Sequence, residues 1–286
     1  MRILVTGAGG MLGRALGERL RGTHTLFLWG REEADLTDEA QVRTAAKGIA
    51  FDAIVHAAAM TNVDGCESDP DGALRVNRDA TRHVADLARE RGVVFVYVST
   101  DYVFDGTKRS PYLEEDPTGP INVYGRSKLE GERAAIDSGA RALIVRTSWL
   151  FGPGGKNFVD TIASKLERGE SLRVVDDQKG SPTYSRDLAH AIELLLRRGS
   201  LGTVHATNAG ATTWCGLARQ IAGDLGSDAP ITPVTTEEFP RPAPRPRYSV
   251  LSGARFRAWT GENLRPWEEA VGHYLATRRS RTTEDA

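Results

Sequence analysis

The sequence predicts an α/β fold: a doubly wound parallel sheet with helices on both faces, followed by a smaller mixed α/β domain. Two observations predict the sheet. Short apolar runs rich in β-branched residues, beginning with Ile3-Leu4-Val5, alternate with segments of helical periodicity up to about residue 150. The first run also leads directly into a glycine-rich turn and then a helix. From Pro153 the alternation loosens, which predicts the second domain.

We therefore assign residues 1–152 to a dinucleotide-binding domain of the Rossmann type. Residues 153–286 are assigned mainly to substrate binding, with some segments free to return to the first sheet. A closing helix is predicted from Pro266 to Tyr274. The charged stretch from about Thr277 to Ala286 is predicted to be a frayed, disordered tail.

Composition narrows the class of protein. Among 286 residues, 37 lysines and arginines nearly balance 38 aspartates and glutamates, so no global field favours nucleic acid or an anionic membrane. Cys66 and Cys215 form no disulfide or metal-binding pattern, and no apolar run reaches the roughly twenty residues of a membrane span. These features predict a cytoplasmic protein without nucleic-acid or membrane partners.

The turn after the first strand has the spacing Gly7-x-x-Gly10-x-x-Gly13. Between a strand and a helix, such glycines make the tight turn, admit a dinucleotide pyrophosphate to backbone N–H groups and let the helix pack closely. The second strand ends near Arg31, whose planar guanidinium suits the extra phosphate of NADPH. Because Glu32 and Glu33 follow at once, the pattern favours NADPH and leaves NADH open.

The third predicted strand, residues 53–56, runs into Ala57, Ala58 and Ala59. Small residues there let a cofactor lie across the strand ends, where open α/β sheets bind ligands. We interpret His56, at the end of this strand, as a structural hydrogen-bonding residue rather than a catalyst.

Tyr124 and Lys128 stand four residues apart in a helix predicted over residues 122–136, which places both side chains on one face. An ammonium there is expected to lower the pKa of the phenol and prepare it for proton transfer. Thr100 lies just past the apolar run 93–98 and can hold a substrate carbonyl beside that phenol.

Two further features have alternative interpretations. Trp149 follows the fifth predicted strand and forms either a hydrophobic wall for a sugar ring or part of the domain core. The stretch 240–247, rich in proline and arginine and containing Arg245, either grips a diphosphate or is a solvated linker.

Together these motifs resemble the extended short-chain dehydrogenase/reductases. More specific are four segments that are similar to the dTDP-4-dehydrorhamnose reductases, a resemblance that covers about residues 1 to 275. They are Ser99-Thr100-Asp101-Tyr102-Val103-Phe104-Asp105-Gly106, Asn122-Val123-Tyr124-Gly125, Arg146-Thr147-Ser148-Trp149 and Arg245-Pro246-Arg247-Tyr248-Ser249.

The resemblance implies NAD(P)H-dependent hydride transfer to C4 of a dTDP-6-deoxy-4-keto-hexose, the last step of dTDP-L-rhamnose synthesis. It implies that Tyr124 is the general acid, that Lys128 lowers the tyrosine's pKa and holds the nicotinamide ribose, and that Thr100 binds the carbonyl oxygen. The implied binding residues are Gly7, Gly10, Met11, Leu12 and Gly13 for the pyrophosphate, Asp35 and Leu36 for adenine, Ala57 to Ala59 for nicotinamide, Val63, Asp101 and Trp149 for the sugar, and Arg245 for the diphosphate.

The chain departs from the family pattern at two places. Some members dimerise through a magnesium ion held by acidic residues, and the matching positions here are Ala15 and Arg186. Neither side chain can bind a cation, so we expect no metal at that site and a monomer. His56 stands where the family usually has asparagine, which bears on local cofactor contacts.

Other functions share this fold. A nucleotide-sugar 4-epimerase would keep the same glycines, tyrosine and lysine, whereas a dehydratase is disfavoured because Tyr102 follows Asp101 where dehydratases have glutamate. A 4-ketoreductase for another dTDP-deoxysugar stays open, since the sequence fixes neither the hydride face nor the nucleotide base. A non-catalytic subunit, like the regulatory subunit of methionine adenosyltransferase, is disfavoured by the intact Thr100, Tyr124 and Lys128.

Overall fold

A computed structural model describes the backbone of residues 1–284 and the side chains of residues 1–278. The strands are β1 Arg2–Thr6, β2 Thr25–Trp29, β3 Ala53–His56, β4 Val94–Thr100, β5 Arg141–Thr147, β6 Leu150–Phe151, β7 Leu172–Val175, β8 Lys179–Gly180, β9 Thr183–Tyr184, β10 Gly202–His205, β11 Thr212–Thr213 and β12 Ile231–Val234. The helices are α1 Met11–Leu20, α2 Glu39–Ala45, α3 Val63–Ser68, α4 Pro70–Leu74, α5 Ala80–Arg91, α6 Val123–Asp137, α7 Phe158–Glu167, α8 Ser185–Arg197, α9 Trp214–Leu225, α10 Ala254–Thr260 and α11 Trp267–Glu284.

The central sheet is parallel, with six strands in the order β10-β5-β4-β3-β1-β2. Its inner strands are apolar on both faces, and β3 is buried along its whole length, because helices cover each side. On one face α1 and α8 pack around Leu16 and Ile192; on the other, α2, α5 and α6 enclose Val42, Val84 and Ala135. The predicted doubly wound α/β fold is confirmed.

The part of the chain after residue 152 divides between two layers. Helix α8 and strand β10 return to the central sheet, where β10 pairs with β5. The other segments build a separate core in which α7, α9 and α11 pack around the parallel pair β7–β12, with Ile162, Ile221 and Val271 among the buried residues. The part of the chain after residue 152 is therefore attached to the sheet through elements that belong to the first core.

The C-terminal helix is longer than the sequence suggested. The predicted frayed tail from about Thr277 is wrong as far as Glu284, because α11 continues to that residue. Arg278 anchors it: its guanidinium pairs with Glu167 of α7 and donates to the Ser164 hydroxyl at 2.9 Å. The last two residues of the predicted tail, 285 and 286, lie outside the described residues.

A π-helical turn, Arg75–Asp79, joins α4 to α5 and places Asn77 in the interior. The Asn77 side chain accepts from the backbone N–H of Met60 at 2.8 Å and donates to the Ser127 hydroxyl at 2.8 Å. It thereby ties the chain beyond β3 to α6. Such π-turns inside helices often mark functional regions.

Across the described residues, no helix combines the length and apolar character needed to cross a membrane.

Candidate active site

A cavity of about 920 Å³ lies at the carboxyl ends of β1, β3, β4 and β5, between the central sheet and the second core. This is the edge at which open α/β sheets bind ligands. The sheet side supplies most of the predicted site residues to its wall: Gly10, Met11, Leu12, Gly13, Ala57, Ala59, Val63, Thr100, Asp101, Tyr124, Lys128 and Trp149. Arg245 reaches the wall from the arginine loop, the name we give to residues 240–247.

The glycine turn is packed so closely that side chains are excluded. Gly7 has φ +72°, and a Cβ there would lie 2.6 Å from the backbone nitrogen of Ala58. A Cβ on Gly13 would lie 2.2 Å from the Gly7 carbonyl oxygen. Gly7 and Ala58 thus form the packed floor behind the cavity, while the first residues of α1 face into it. The exposed N–H groups at the start of α1 fit the phosphates of a dinucleotide.

Three predicted cofactor residues, Arg31, Asp35 and Leu36, lie outside the cavity wall, beyond the end of β2. Arg31 is exposed in a turn whose Gly30 N–H donates to the Glu33 carboxylate at 2.6 Å. The Asp35 carboxylate accepts from the backbone and hydroxyl of Thr37, and these bonds lower the pKa of Asp35. Their contact with the adenosine end of a cofactor stays a prediction.

Helix α6 carries the tyrosine and lysine to the end of β4. Asn122 caps the helix by accepting from the Gly125 N–H at 2.7 Å. A Cβ on Gly125 would lie 2.1 Å from the Tyr102 carbonyl oxygen, so this glycine lets α6 pack against the turn after Thr100. As a result, Thr100 and Tyr124 stand together on the cavity wall.

The electrostatics of this group differ from the prediction. Burial raises the pKa of Tyr124 well above its ordinary value, and the neighbouring Thr100 hydroxyl only partly opposes this rise. Burial also lowers the pKa of Lys128 to about 7, against the opposing field of Glu132. The lysine therefore does not make the phenol acidic as expected, because desolvation dominates both groups.

Other site residues also have pKa values set by burial. Burial raises the pKa of Asp101 to about 7, and its carboxylate accepts from the Thr100 hydroxyl at 3.0 Å. His56 is fully enclosed and bonds to the hydroxyls of Thr6 and Thr81. Because burial lowers the pKa of His56 to about 3, it is neutral, in keeping with the structural role expected for it.

Trp149 has the left-handed backbone angle φ 45°, a strained conformation for a bulky residue. Its indole is stacked on Trp214 with ring centroids 3.5 Å apart and planes 4° from parallel. A Cβ on Gly180 would lie 2.4 Å from its Cε2 atom. Trp149 thus belongs to an aromatic cluster on the cavity wall, in which the Phe158 ring also contacts Trp214, with centroids 4.7 Å apart.

The arginine loop is folded onto the protein and is not a solvated linker. Arg245 donates to the Asp64 carboxylate at 2.5 Å, and Arg241 donates to the same carboxylate at 3.0 Å. Hydrogen bonding by Arg245 is the main reason why the pKa of Asp64 falls to about 2. Both arginines also line the cavity, so a carboxylate of α3 occupies the donors that we predicted for a diphosphate.

Several wall residues were missed by the sequence analysis. They are Lys156, Lys165, Arg173, Gln178, Trp214, Phe239 and Arg241, all from the second half of the chain. Arg241 stands in the stretch that was singled out and could have been named with Arg245. The others carry no local motif, and they reach the cavity from α7, β7, α9 and loops of the second half of the chain.

At the positions compared with the family's dimer metal site, Ala15 is buried and Arg186 donates to the Glu18 carboxylate at 2.9 Å. Within the described part of the chain, no group of three or more histidine, cysteine, aspartate or glutamate side chains could hold a metal.

The chain is similar over nearly its whole length to proteins of known family. The family model described as "RmlD substrate binding domain" matches residues 1–280. The chain is 45% identical to a dTDP-4-dehydrorhamnose reductase of Streptomyces griseus, covering 94% of this chain and 91% of that protein. It is 42% identical to a probable dTDP-4,6-dihydroxy-2-methyloxan-3-one 4-ketoreductase of Streptomyces antibioticus, covering 95% of this chain and 93% of that protein. The crystal structure of dTDP-4-dehydrorhamnose reductase from Bacillus anthracis in complex with NADP superposes with a TM-score of 0.94 at 36% identity, covering 96% and 99% of the two chains.

Proposed function

The chain belongs to the dTDP-4-dehydrorhamnose reductase family, and we propose that it reduces the C4 ketone of dTDP-6-deoxy-L-lyxo-4-hexulose to dTDP-L-rhamnose with NADPH. The observation that carries this proposal is the placement of Thr100, Tyr124 and Lys128 on the wall of one cavity with the glycine turn. NADH is the alternative cofactor.

Bound NADPH supplies the hydride that is added to C4. The first turn of α1 and the small residues Ala57 and Ala59 fit a dinucleotide, because backbone N–H groups and space, rather than bulky side chains, face the cavity there. Arg31 at the end of β2 is the residue proposed to favour the extra phosphate of NADPH.

The proton comes from the chain's own residues. Thr100 and Tyr124 donate hydrogen bonds to the substrate oxygen, and Tyr124 gives its proton to that oxygen as it becomes an alkoxide. The raised pKa of Tyr124 keeps the phenol protonated at neutral pH, which suits a proton donor. Lys128, when protonated, stabilises the phenolate left behind and holds the nicotinamide ribose.

Substrate binding is assigned to the wall between the two cores. Val63, Asp101 and Trp149 are proposed to contact the sugar, and Arg245 to bind the diphosphate after it leaves Asp64. Asp35 and Leu36 are proposed to lie against the adenine of the cofactor.

The protein is proposed to act as a cytoplasmic monomer without a bound metal. Ala15 removes one carboxylate from the family's dimer site, and Arg186 already pairs with Glu18 of α1. Light scattering on the purified protein, with and without a chelator and with added magnesium, should give the monomer mass of 31.1 kDa throughout. A dimer that dissociates in chelator would contradict this part of the proposal.

A second candidate is reduction of a different dTDP-4-keto-6-deoxyhexose. The similarity to the 4-ketoreductase of Streptomyces antibioticus, 42% against 45% for the rhamnose enzyme of Streptomyces griseus, favours keeping it. An epimerase is the third alternative and would retain its nicotinamide cofactor through each turnover.

The test is a substrate panel. Purified protein is mixed with NADPH and dTDP- or UDP-linked 4-keto sugars, NADPH absorbance is followed, and product stereochemistry is read by NMR. We expect NADPH oxidation with the dTDP-4-keto-L-sugar and a product with the L-rhamno configuration. Turnover without net NADPH consumption, with tightly retained cofactor, would indicate the epimerase instead.

A further inference from the structure

Glu132 is a buried carboxylate one helical turn beyond Lys128 on α6. It lies behind the cavity wall and has no place in the family motif described above. A buried carboxylate needs several hydrogen bonds or an opposite charge to remain ionised. Glu132 has both.

Two side chains from the sheet hold this carboxylate. The Ser99 hydroxyl donates to it at 2.5 Å, and the Arg146 guanidinium donates through Nε at 2.9 Å and Nη2 at 2.7 Å. Ser99 precedes Thr100 on β4 and stands opposite Arg146 of β5 in the strand register. The carboxylate therefore fastens α6 to the strand end that presents Thr100.

Lys128 meets different groups on each side. From β4, the ring of Tyr97 lies under its ammonium at 4.1 Å, and the Tyr97 hydroxyl donates to the Lys128 carbonyl at 3.2 Å. From β3, His56 is neutral, and from α6 itself Tyr124 is a protonated phenol. Against these neutral groups Glu132 is the carboxylate whose field favours the ammonium form of Lys128, while Arg146 lies beyond it on β5.

We propose that Glu132 is a positioning residue for proton transfer: its carboxylate favours the ammonium form of Lys128 and, through Ser99, fixes the strand end that carries Thr100. This inference rests on the proposed reductase activity. Without Glu132, the buried lysine would lose its proton at a lower pH, so near neutral pH less of the protein would carry the ammonium that stabilises a tyrosine anion.

The first test is Glu132→Gln, followed through the pH profile of kcat/KM. The basic limb should move to lower pH by about one unit, as expected for removing one charge a helical turn away. The matched control is Glu130→Gln, which removes a carboxylate on the same helix that pairs with Arg133 instead. Its profile should overlay the wild type. Glu132→Asp keeps the charge, so its basic limb should lie between those of Glu132→Gln and the wild type.

Glu132→Gln leaves Arg146 buried without its partner and can fail to fold, so a second variant is needed. The double variant Glu132→Met/Arg146→Met replaces both members of the ion pair with apolar side chains of similar length, which buried sites often accept. It should recover the melting temperature and still show the lowered basic limb. A double variant with the wild-type profile would overturn the inference.

A readout without cofactor or turnover comes from competitive acetylation of the ligand-free protein, with Lys128 labelling measured by mass spectrometry against pH. The midpoint should fall in Glu132→Gln and in the double variant, and an unchanged midpoint would overturn the inference. Tyr124→Phe distinguishes failure of the proposed reductase mechanism from failure of the proposed role of Glu132. If it is as active as wild type, the proposed mechanism fails; if it is inactive while the Glu132 profiles are unchanged, only the role of Glu132 fails.

Discussion

Replacing Asp64 with asparagine should destabilise the protein and strengthen binding of its nucleotide ligand. Asp64 accepts hydrogen bonds from Arg245, Arg241 and the backbone N–H of Ala243. These bonds join α3 to the arginine loop, whose Arg241 and Arg245 line the cavity. Because Arg245 is proposed to bind a diphosphate, the carboxylate both holds the loop and competes with the ligand.

The size of the stability effect follows from the pKa of Asp64, about 2 against an ordinary value of 3.8. At 1.36 kcal/mol per pKa unit, the folded state gains about 2 kcal/mol from the ionised carboxylate. Since the folded-state pKa is depressed, this contribution is complete above pH 4 or so and is lost as the pH falls towards 2. Most of it belongs to Arg245, because Arg241 is half exposed and screened by solvent.

The assay is urea unfolding of wild type and Asp64→Asn at pH 7 and again near pH 3, with Asp71→Asn, an exposed carboxylate of α4, as the control. We expect a loss of about 2 kcal/mol at pH 7 that becomes smaller at the lower pH. Equal stability of the variant and wild type at pH 7 would refute the account of the ion pair.

Calorimetric titration with dTDP tests the competition. Freed arginines should bind the diphosphate up to about tenfold more tightly in Asp64→Asn, which corresponds to 1.4 kcal/mol. Weaker dTDP binding would show instead that Asp64 orients Arg245 for the ligand.

Three further substitutions test other parts of the site. Gly13→Ala places a Cβ 2.2 Å from the Gly7 carbonyl, so we expect a loss of about 2 kcal/mol or more and weaker NADPH binding, measured by thermal unfolding and fluorescence titration. Gly180→Ala pushes a methyl group into the ring of Trp149; KM for the sugar nucleotide should rise and tryptophan fluorescence should change, while NADPH affinity stays the same. Arg31→Ser should reduce the preference for NADPH over NADH by about tenfold, measured as the ratio of kcat/KM for the two cofactors, and an unchanged ratio would remove Arg31 from the phosphate site.

The sheet and the cofactor turn could be predicted because their signals are local. A β-branched run followed by Gly7, Gly10 and Gly13 specifies strand, turn and helix within fifteen residues, and the close backbone contacts at Gly7 and Gly13 explain why glycine is needed. The helix with Tyr124 and Lys128 is likewise set by its cap, Asn122, and by its periodicity.

Features that depend on tertiary packing could not be predicted. The stacking of Trp149 on Trp214 joins residues 65 positions apart, and Asp64 meets Arg245 only because the arginine loop packs against α3. The direction of the Tyr124 pKa was predicted wrongly for the same reason: sequence spacing shows the neighbouring lysine and does not show the burial of both groups. The end of α11 was missed because the contact of Arg278 with Glu167 is equally remote in sequence.

The central claim is that the Tyr124 hydroxyl supplies the proton to a sugar ketone held in this cavity. The direct measurement is single-turnover NADPH oxidation by wild type and Tyr124→Phe with a saturating dTDP-4-keto sugar, alongside the dTDP affinity of both proteins. We predict that the rate falls by roughly 10²- to 10⁴-fold in the variant while dTDP affinity is unchanged. Equal rates for the two proteins would contradict the account.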